Sequence, residues 1–110
     1  MCEFQIFVSE SGKKETLITD DISFLRVQED GSILLRGLGI QDKIHDSIIK
    51  EVNTYAEDGA TAKLFKSSII GYFMKFLKLF ETGSYSPELE KKWIDFVKKG
   101  KELIEKMKKK

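Results

Sequence analysis

Apolar and polar residues alternate through the first half of the chain, which is the pattern of strands with one buried face. Turn residues such as Ser11-Gly12 and Asp58-Gly59 separate the alternating runs. The Asp30-Gly31 pair is typical of a tight hairpin, because it suits the positive backbone angles of such a turn. The pattern predicts six strands, at residues 3–8, 15–19, 22–28, 32–36, 47–55 and 60–65.

Six short strands with little helix between them predict a small antiparallel β-barrel, since closure of the sheet removes exposed edges. Gly37-Leu38-Gly39 interrupts the order of the strands. Two interpretations fit these glycines, a bend at a barrel corner and a loop that approaches a ligand.

After residue 65 the apolar residues recur every three or four positions, which indicates helices. Ser86 is a suitable N-cap and Pro87 fits the first turn of a second helix. We therefore expect an α+β chain, with a β-barrel domain at residues 1–65 and a two-helix hairpin at residues 66–110. A homodimer is expected as well, because the first helix has a wider apolar sector than one small barrel covers. That sector contains Ile69, Tyr72, Phe73, Phe76, Leu77 and Phe80.

Composition favours a cytoplasmic protein. The single cysteine forms no internal disulfide, so stability is expected to come from packing. No basic segment leads into a long apolar run at the N-terminus, so no secretory signal is expected. The longest apolar stretch, residues 64–80, contains three lysines and is short for a membrane span.

Charge is distributed unevenly along the chain. Residues 1–60 contain six basic and twelve acidic residues, whereas residues 61–110 contain thirteen lysines and six acidic residues. The lysines of the basic part fit a solvated helical surface. They also fit a nucleic-acid-binding module, in which Phe7, Phe24 and Tyr55 on a face of the barrel would stack on bases. The acidic first half opposes phosphate binding there. A third interpretation is a protein-interaction adaptor that docks through the helical hairpin.

Motifs of catalysis are not found in the sequence. It has no Gly-x-x-x-x-Gly-Lys-Ser/Thr loop and no Gly-x-Gly-x-x-Gly. Cysteine-histidine catalysis would require Cys2 and His45 to meet in a cleft with a third, orienting group. We therefore expect a protein that is not an enzyme.

Cys2 has two interpretations. If Met1 is removed, the α-amine and thiolate of Cys2 form a compact chelate for a soft or borderline divalent metal. Cys2 also has the same strand parity as Phe4, Ile6 and Val8, so it fits a buried position at the start of a core-facing row, and the residues alone favour this interpretation.

The chain start and several later segments resemble the CooT family of small nickel-binding proteins. The resemblance covers roughly residues 1–65 and is carried by Met1-Cys2-Glu3-Phe4, Asp20-Asp21-Ile22, Asp30-Gly31 and the run from Ile33 to Leu38. It implies a small barrel that dimerises and holds nickel through Cys2, in support of nickel insertion into carbon monoxide dehydrogenase. Proteins of this type are also described as predicted RNA-binding proteins. Family members are typically barrel-only, so the helical hairpin departs from their pattern.

A nickel site needs more ligands than one thiolate. Two chains would each bring Cys2 with its α-amine or a main-chain amide nitrogen, a set that suits square-planar nickel. His45 is the other strong nitrogen donor and lies in the polar segment 41–46, which is predicted to be a loop. Because exposed loop histidines are commonly solvated, His45 is only a secondary candidate ligand.

Overall fold

Six strands are followed by two helices, which confirms the predicted α+β class. A computed structural model describes residues 3–55, 57 and 59–109. The strands are β1 Phe4–Ser9, β2 Thr16–Val27, β3 Ile33–Gly37, β4 Ile40–Ile44, β5 Ser47–Asn53 and β6 Ala60–Lys66. The helices are α1 Ser68–Phe80 and α2 Pro87–Lys108.

The strands form one open, mixed sheet in the order β4-β3-β2-β1-β6-β5. β1 and β6 are parallel, and the other neighbouring strands are antiparallel. The expectation of a closed and wholly antiparallel barrel is therefore corrected. β4 and β5 are separated by only His45 and Asp46, yet β5 turns away to pair with β6 and leaves both strands at edges.

β2 is a single strand of twelve residues where the sequence predicted two. Its first part, from Thr16 to Ile22, pairs with β1, and its second part, from Ile22 to Val27, pairs with β3. Asp21 has a φ of 56°, in the left-handed region that aspartate tolerates better than most residues. The irregular backbone at Asp21 joins the two parts, so a segment that reads as a turn is part of the strand.

β4 lies in the segment that the sequence predicted to be a loop. Its central residues Gln41, Asp42 and Lys43 are exposed, while Ile44 is buried. Polar and charged residues suit an edge strand because they oppose pairing with another chain. His45 and Asp46 follow the strand and form the corner before β5.

The core lies on one face of the sheet and draws on five of the six strands. Burial of each large aliphatic side chain contributes about 1.5–3 kcal/mol. Phe4, Val8, Leu25, Ile40 and Ile49 pack around the rim of this core. The buried members are Ile6, Ile22, Ile33, Leu35, Ile44, Ala62 and Leu64.

α1 packs on the corner between β4 and β5. Ser67 caps α1 by accepting the Ile69 N–H at 3.4 Å, and its own N–H donates to the carbonyl of Asp46 at 2.9 Å. A side chain on Gly71 would overlap the carboxylate of Asp46. The same corner holds Gly31, whose carbonyl accepts the Ser47 N–H at 3.1 Å. These contacts attach the helices to the end of the sheet where β5 begins.

α2 begins as predicted, with Ser86 accepting the Leu89 N–H at 3.2 Å and Pro87 in the first turn. It packs on α1 through an aromatic cluster that includes Phe73, Phe76, Trp93 and Phe96. All of its residues are described and none is buried. The radius of gyration is 16.2 Å, against about 13 Å for a compact chain of this length, so the hairpin extends outward.

Strand β6 ends at Lys66 and α1 begins at Ser68. The division into a domain at residues 1–65 and an extension at residues 66–110 stays a prediction. Neither helix within the described ranges is long and apolar enough to cross a bilayer.

Candidate metal-binding end of the sheet

β1 begins at the bend of β2, in the interior of the sheet. Phe4 pairs with Ile22 on one side and with Ala60 on the other. Ile22 is fully buried and also pairs with Gly37. Phe4 is therefore held from both sides by neighbouring strands.

Cys2, the predicted metal ligand, lies outside the described residues. Glu3 is the first described residue and is exposed. The inward row predicted for β1 is present, since Ile6 is fully buried and both Phe4 and Val8 pack against the core. The metal-binding and packing interpretations of Cys2 both stay predictions.

His45 lies at the opposite end of β3 and β4 from Gly37. It is exposed and follows Ile44, which pairs with Ile33, whereas Gly37 pairs with Ile40 at the other end. The four residue steps from Ile33 to Gly37 span about 13 Å. His45 is therefore remote from the start of β1 within one chain. It stays a secondary candidate that the geometry does not bring toward Glu3.

Acidic residues do not supply an alternative metal site in the described ranges. No group of three or more histidine, cysteine, aspartate or glutamate side chains is arranged there to hold a metal ion. Asp42 accepts the Lys43 N–H at 2.8 Å and is exposed. Asp30 accepts hydrogen bonds from the backbone and the hydroxyl of Ser32, and mainly the hydroxyl bond lowers the pKa of its carboxyl group.

Two exposed apolar side chains flank the start of β1. Leu38 lies in the turn after β3 and is 97% exposed, and Tyr55 follows β5 and is 95% exposed. Leu38 follows β3 and Tyr55 follows β5, and each of these strands lies two places from β1 in the sheet, or about 10 Å away. The sequence predicted a bend or a ligand loop at Gly37-Leu38-Gly39 and gave Leu38 no role of its own. An aliphatic residue between two glycines is the feature that indicates an exposed apolar side chain here.

The three aromatic residues proposed as an RNA platform lie on different segments. Phe7 is partly buried on β1 and pairs with Leu17 and Lys63. Phe24 is on β2 beyond the bend, with the Arg36 guanidinium carbon 5.5 Å from its ring centre. Tyr55 lies beyond the end of β5. In the described part of the chain, ring-to-ring contacts occur within the helical hairpin and do not join these three residues.

Lysines of α2 form ion pairs along the helix surface. Lys99 and Lys106 both approach Glu102, at 3.3 and 3.5 Å, and Lys108 lies 3.1 Å from Glu105. Such exposed pairs contribute little to stability but neutralise part of the positive field. This arrangement agrees with the interpretation of the lysines as a solvated helical face.

Comparison with known protein families assigns this chain to one of them. A family model for CO dehydrogenase accessory protein CooT matches residues 1–58, just over half of the chain. The match includes Cys2, the bend of β2 and the whole of β3, β4 and β5, whereas β6 and both helices lie beyond it. Searches of curated proteins and of solved structures find no match. The chain belongs to the CooT family of CO dehydrogenase accessory proteins.

Proposed function

We propose that this protein binds nickel through the Cys2 thiolate and supports the insertion of nickel into carbon monoxide dehydrogenase. The observation that carries the proposal is the family match over residues 1–58, in a chain whose single cysteine stands at position 2. Carbon monoxide dehydrogenase is a nickel enzyme, so an accessory protein with a soft ligand at its start is suited to handling that metal. The proposed role is delivery and assigns no catalytic step to the chain.

The metal site is proposed to form between two chains. One thiolate and one nitrogen are too few ligands for square-planar nickel, whereas two copies related by a two-fold axis supply four. Phe4 fixes the start of β1 between β2 and β6, and Leu38 and Tyr55 offer apolar surface on either side of it. This end of the sheet is therefore suited to meet its own copy.

Nickel titration of the reduced protein tests the proposal. We expect one nickel to bind per two chains. Binding is monitored through the thiolate-to-metal charge-transfer absorption. Cys2→Ser should abolish that absorption, and His45→Ala should bind as the unmodified chain does. If Cys2→Ser binds as tightly as the unmodified chain, the thiolate is not a ligand and Cys2 is a packing residue. Loss of binding only in His45→Ala would place the site at the corner between β4 and β5.

Two controls make the titration decisive. Nickel affinity is compared between preparations with and without Met1, and mass spectrometry verifies whether Met1 is present. A site that uses the Cys2 amine forms only after Met1 is removed. Affinity should also fall as the pH is lowered toward mildly acidic values, since metal ligation requires a deprotonated thiol. A matched titration with RNA oligonucleotides tests the alternative function, and tight RNA binding without nickel binding would replace the proposal.

A further inference from the structure

α2 has two parallel stripes of residues, and the first of them packs on α1. Phe96 lies 5.4 Å from Phe73 and Trp93 lies 5.3 Å from Phe76, measured between ring centres. At Gly100, an added Cβ would lie 3.8 Å from Ile69. The stripe repeats at alternating spacings of four and three residues and consists of Leu89, Trp93, Phe96, Gly100, Leu103 and Met107.

The second stripe lies one residue further along α2, about 100° around the helix from the first. Ile94 is 60% exposed and Ile104 is 53% exposed, while Val97 is partly buried. A shallow cavity of 280 Å³ follows this surface and is lined by Trp93, Ile94, Val97, Lys98 and Lys101. The full stripe consists of Glu90, Ile94, Val97, Lys101, Ile104 and Lys108.

The spacing of this stripe is that of a coiled-coil seam. Its members follow one another at intervals of four, three, four, three and four residues, the a and d positions of a heptad repeat. α2 has 22 residues, or about 33 Å of helix, which accommodates all six positions. A seam of this kind is buried when a second helix packs against it.

The order of residues in the seam is self-complementary when the helix direction is reversed. Inversion about Lys99 places Ile94 opposite Ile104 and Glu90 opposite Lys108. We propose that α2 pairs antiparallel with α2 of a second copy of this chain, about a two-fold axis near Lys99. The aliphatic part of Lys101 then covers Val97 while its ammonium group reaches solvent.

Charge distinguishes this arrangement from a parallel pair. Residues 87–97 contain two lysines and three acidic residues, whereas residues 98–108 contain five lysines and two acidic residues. A parallel pair would place the two lysine-rich halves side by side, and like charges there are repulsive. An antiparallel pair places each lysine-rich half against the acidic half of the other helix and also opposes the two helix dipoles.

This seam is separate from the proposed nickel site. A cavity of 560 Å³ lies between the turn after β1, where Ser11 is found, and the second half of α2, where Leu103, Ile104 and Met107 line it. That turn is at the opposite end of β1 from Phe4, about 17 Å along the strand. Pairing through α2 is therefore independent of nickel and of Cys2, and it goes beyond the proposed function.

Light scattering of the full chain with a metal chelator tests the proposal. We expect a dimer, and Ile94→Glu should raise the dissociation constant at least about tenfold, because it places a charge against the partner's Ile104. Val52→Glu is the matched control, since it changes an aliphatic residue that is 54% exposed on the sheet and should leave the dimer intact. A monomer up to about 100 µM, a concentration at which a micromolar pair is mostly associated, would overturn the proposal. Dissociation by Val52→Glu but not by Ile94→Glu would do so as well.

A second set of variants tests the direction of pairing. Glu90→Lys should weaken the dimer, and the double variant Glu90→Lys with Lys108→Glu should restore it. In a Cys2→Ser background, an Ile94→Cys chain mixed with an Ile104→Cys chain should oxidise to a mixed disulfide dimer. A dimer in which two Ile94→Cys chains link to each other in preference would overturn the antiparallel seam. Circular dichroism checks that each variant keeps its helix content.

Discussion

Gly37 passes so close to the backbone carbonyl of Asp21 that a Cβ at position 37 would overlap it. The contact lies at the bend of β2, next to the pairing of Ile22 with both Gly37 and Phe4. Glycine is required at position 37 because two backbones approach closely there, and not because of a positive φ. Gly37, which allows the bend, therefore lies near the start of β1, the strand that follows the proposed ligand Cys2.

Gly37→Ala should destabilise the protein by about 1–3 kcal/mol, the usual cost of an overpacked site. Backbone atoms cannot rotate away as a side chain does, so the bend itself must shift. Denaturant unfolding followed by circular dichroism measures the change. Gly100→Ala is the control, because its Cβ has room near Ile69 and alanine is favoured in helices by roughly 0.5–1 kcal/mol. Equal destabilisation by both variants would contradict the interpretation of Gly37.

The helices could be predicted from the sequence more fully than the sheet. Ser86 and Pro87 mark the start of α2 by local chemistry that needs no information from the rest of the chain. The parallel pairing of β1 with β6 joins segments almost sixty residues apart, and a two-residue period is the same for parallel and antiparallel strands. Local pattern therefore predicted most of the strand segments but neither β4 nor the open edges of the sheet.

Two local errors have different causes. At Asp20-Asp21 the acidic pair resembles a turn, yet Asp21 adopts a positive φ within a continuing strand. At residues 41–43 a polar run resembles a loop, yet the strand is held by Ile40 and Ile44 of the same parity. Pairing outweighs local preference in both cases, with β1 and β3 on either side of Asp21 and with β3 at residues 41–43. Leu38 was overlooked for a related reason, since its exposure follows from the hairpin that the pattern did not predict.

Ile22→Ala should cost about 2–5 kcal/mol of unfolding free energy, the range for truncation of a large buried aliphatic residue. Ile22 is fully buried and connects the pairings of β1 and β3. Leu38→Ala, at a position 97% exposed, should change stability by less than about 0.5 kcal/mol. Thermal or denaturant unfolding compares the two. A cost at Leu38 similar to that at Ile22 would mean that Leu38 is covered in solution.

Ser32→Ala should destabilise the β2–β3 hairpin by about 1 kcal/mol at neutral pH. Ser32 is fully buried, and its hydroxyl donates to the Asp30 carboxylate. This bond is the main cause that holds the pKa of Asp30 below its ordinary value of 3.8. The stabilisation is present above that ordinary value and is lost as the pH falls through the lowered pKa of the folded state.

The difference in unfolding free energy between the unmodified chain and Ser32→Ala should therefore shrink below about pH 4. Urea unfolding at pH 7 and pH 3 measures it. Ser11→Ala, in the exposed turn after β1, should show little difference at either pH. A Ser32→Ala effect that is equal at both values would show that lost packing, and not the hydrogen bond to the carboxylate, causes it.

Leu38→Asn should weaken nickel binding about tenfold while leaving the chelated protein's mass unchanged. The turn of Leu38 lies next to the pairing of Ile22 with Phe4, and a two-chain site at Cys2 would bring this side chain close to the second copy. Asparagine is similar to leucine in size and carries no charge, so it removes apolar contact without adding attraction for the metal. Val52→Asn, on the exposed part of β5, is the matched control. Isothermal titration and light scattering with and without nickel measure affinity and assembly. Equal nickel affinity in Leu38→Asn, Val52→Asn and the unmodified chain would mean that the two chains meet through another surface.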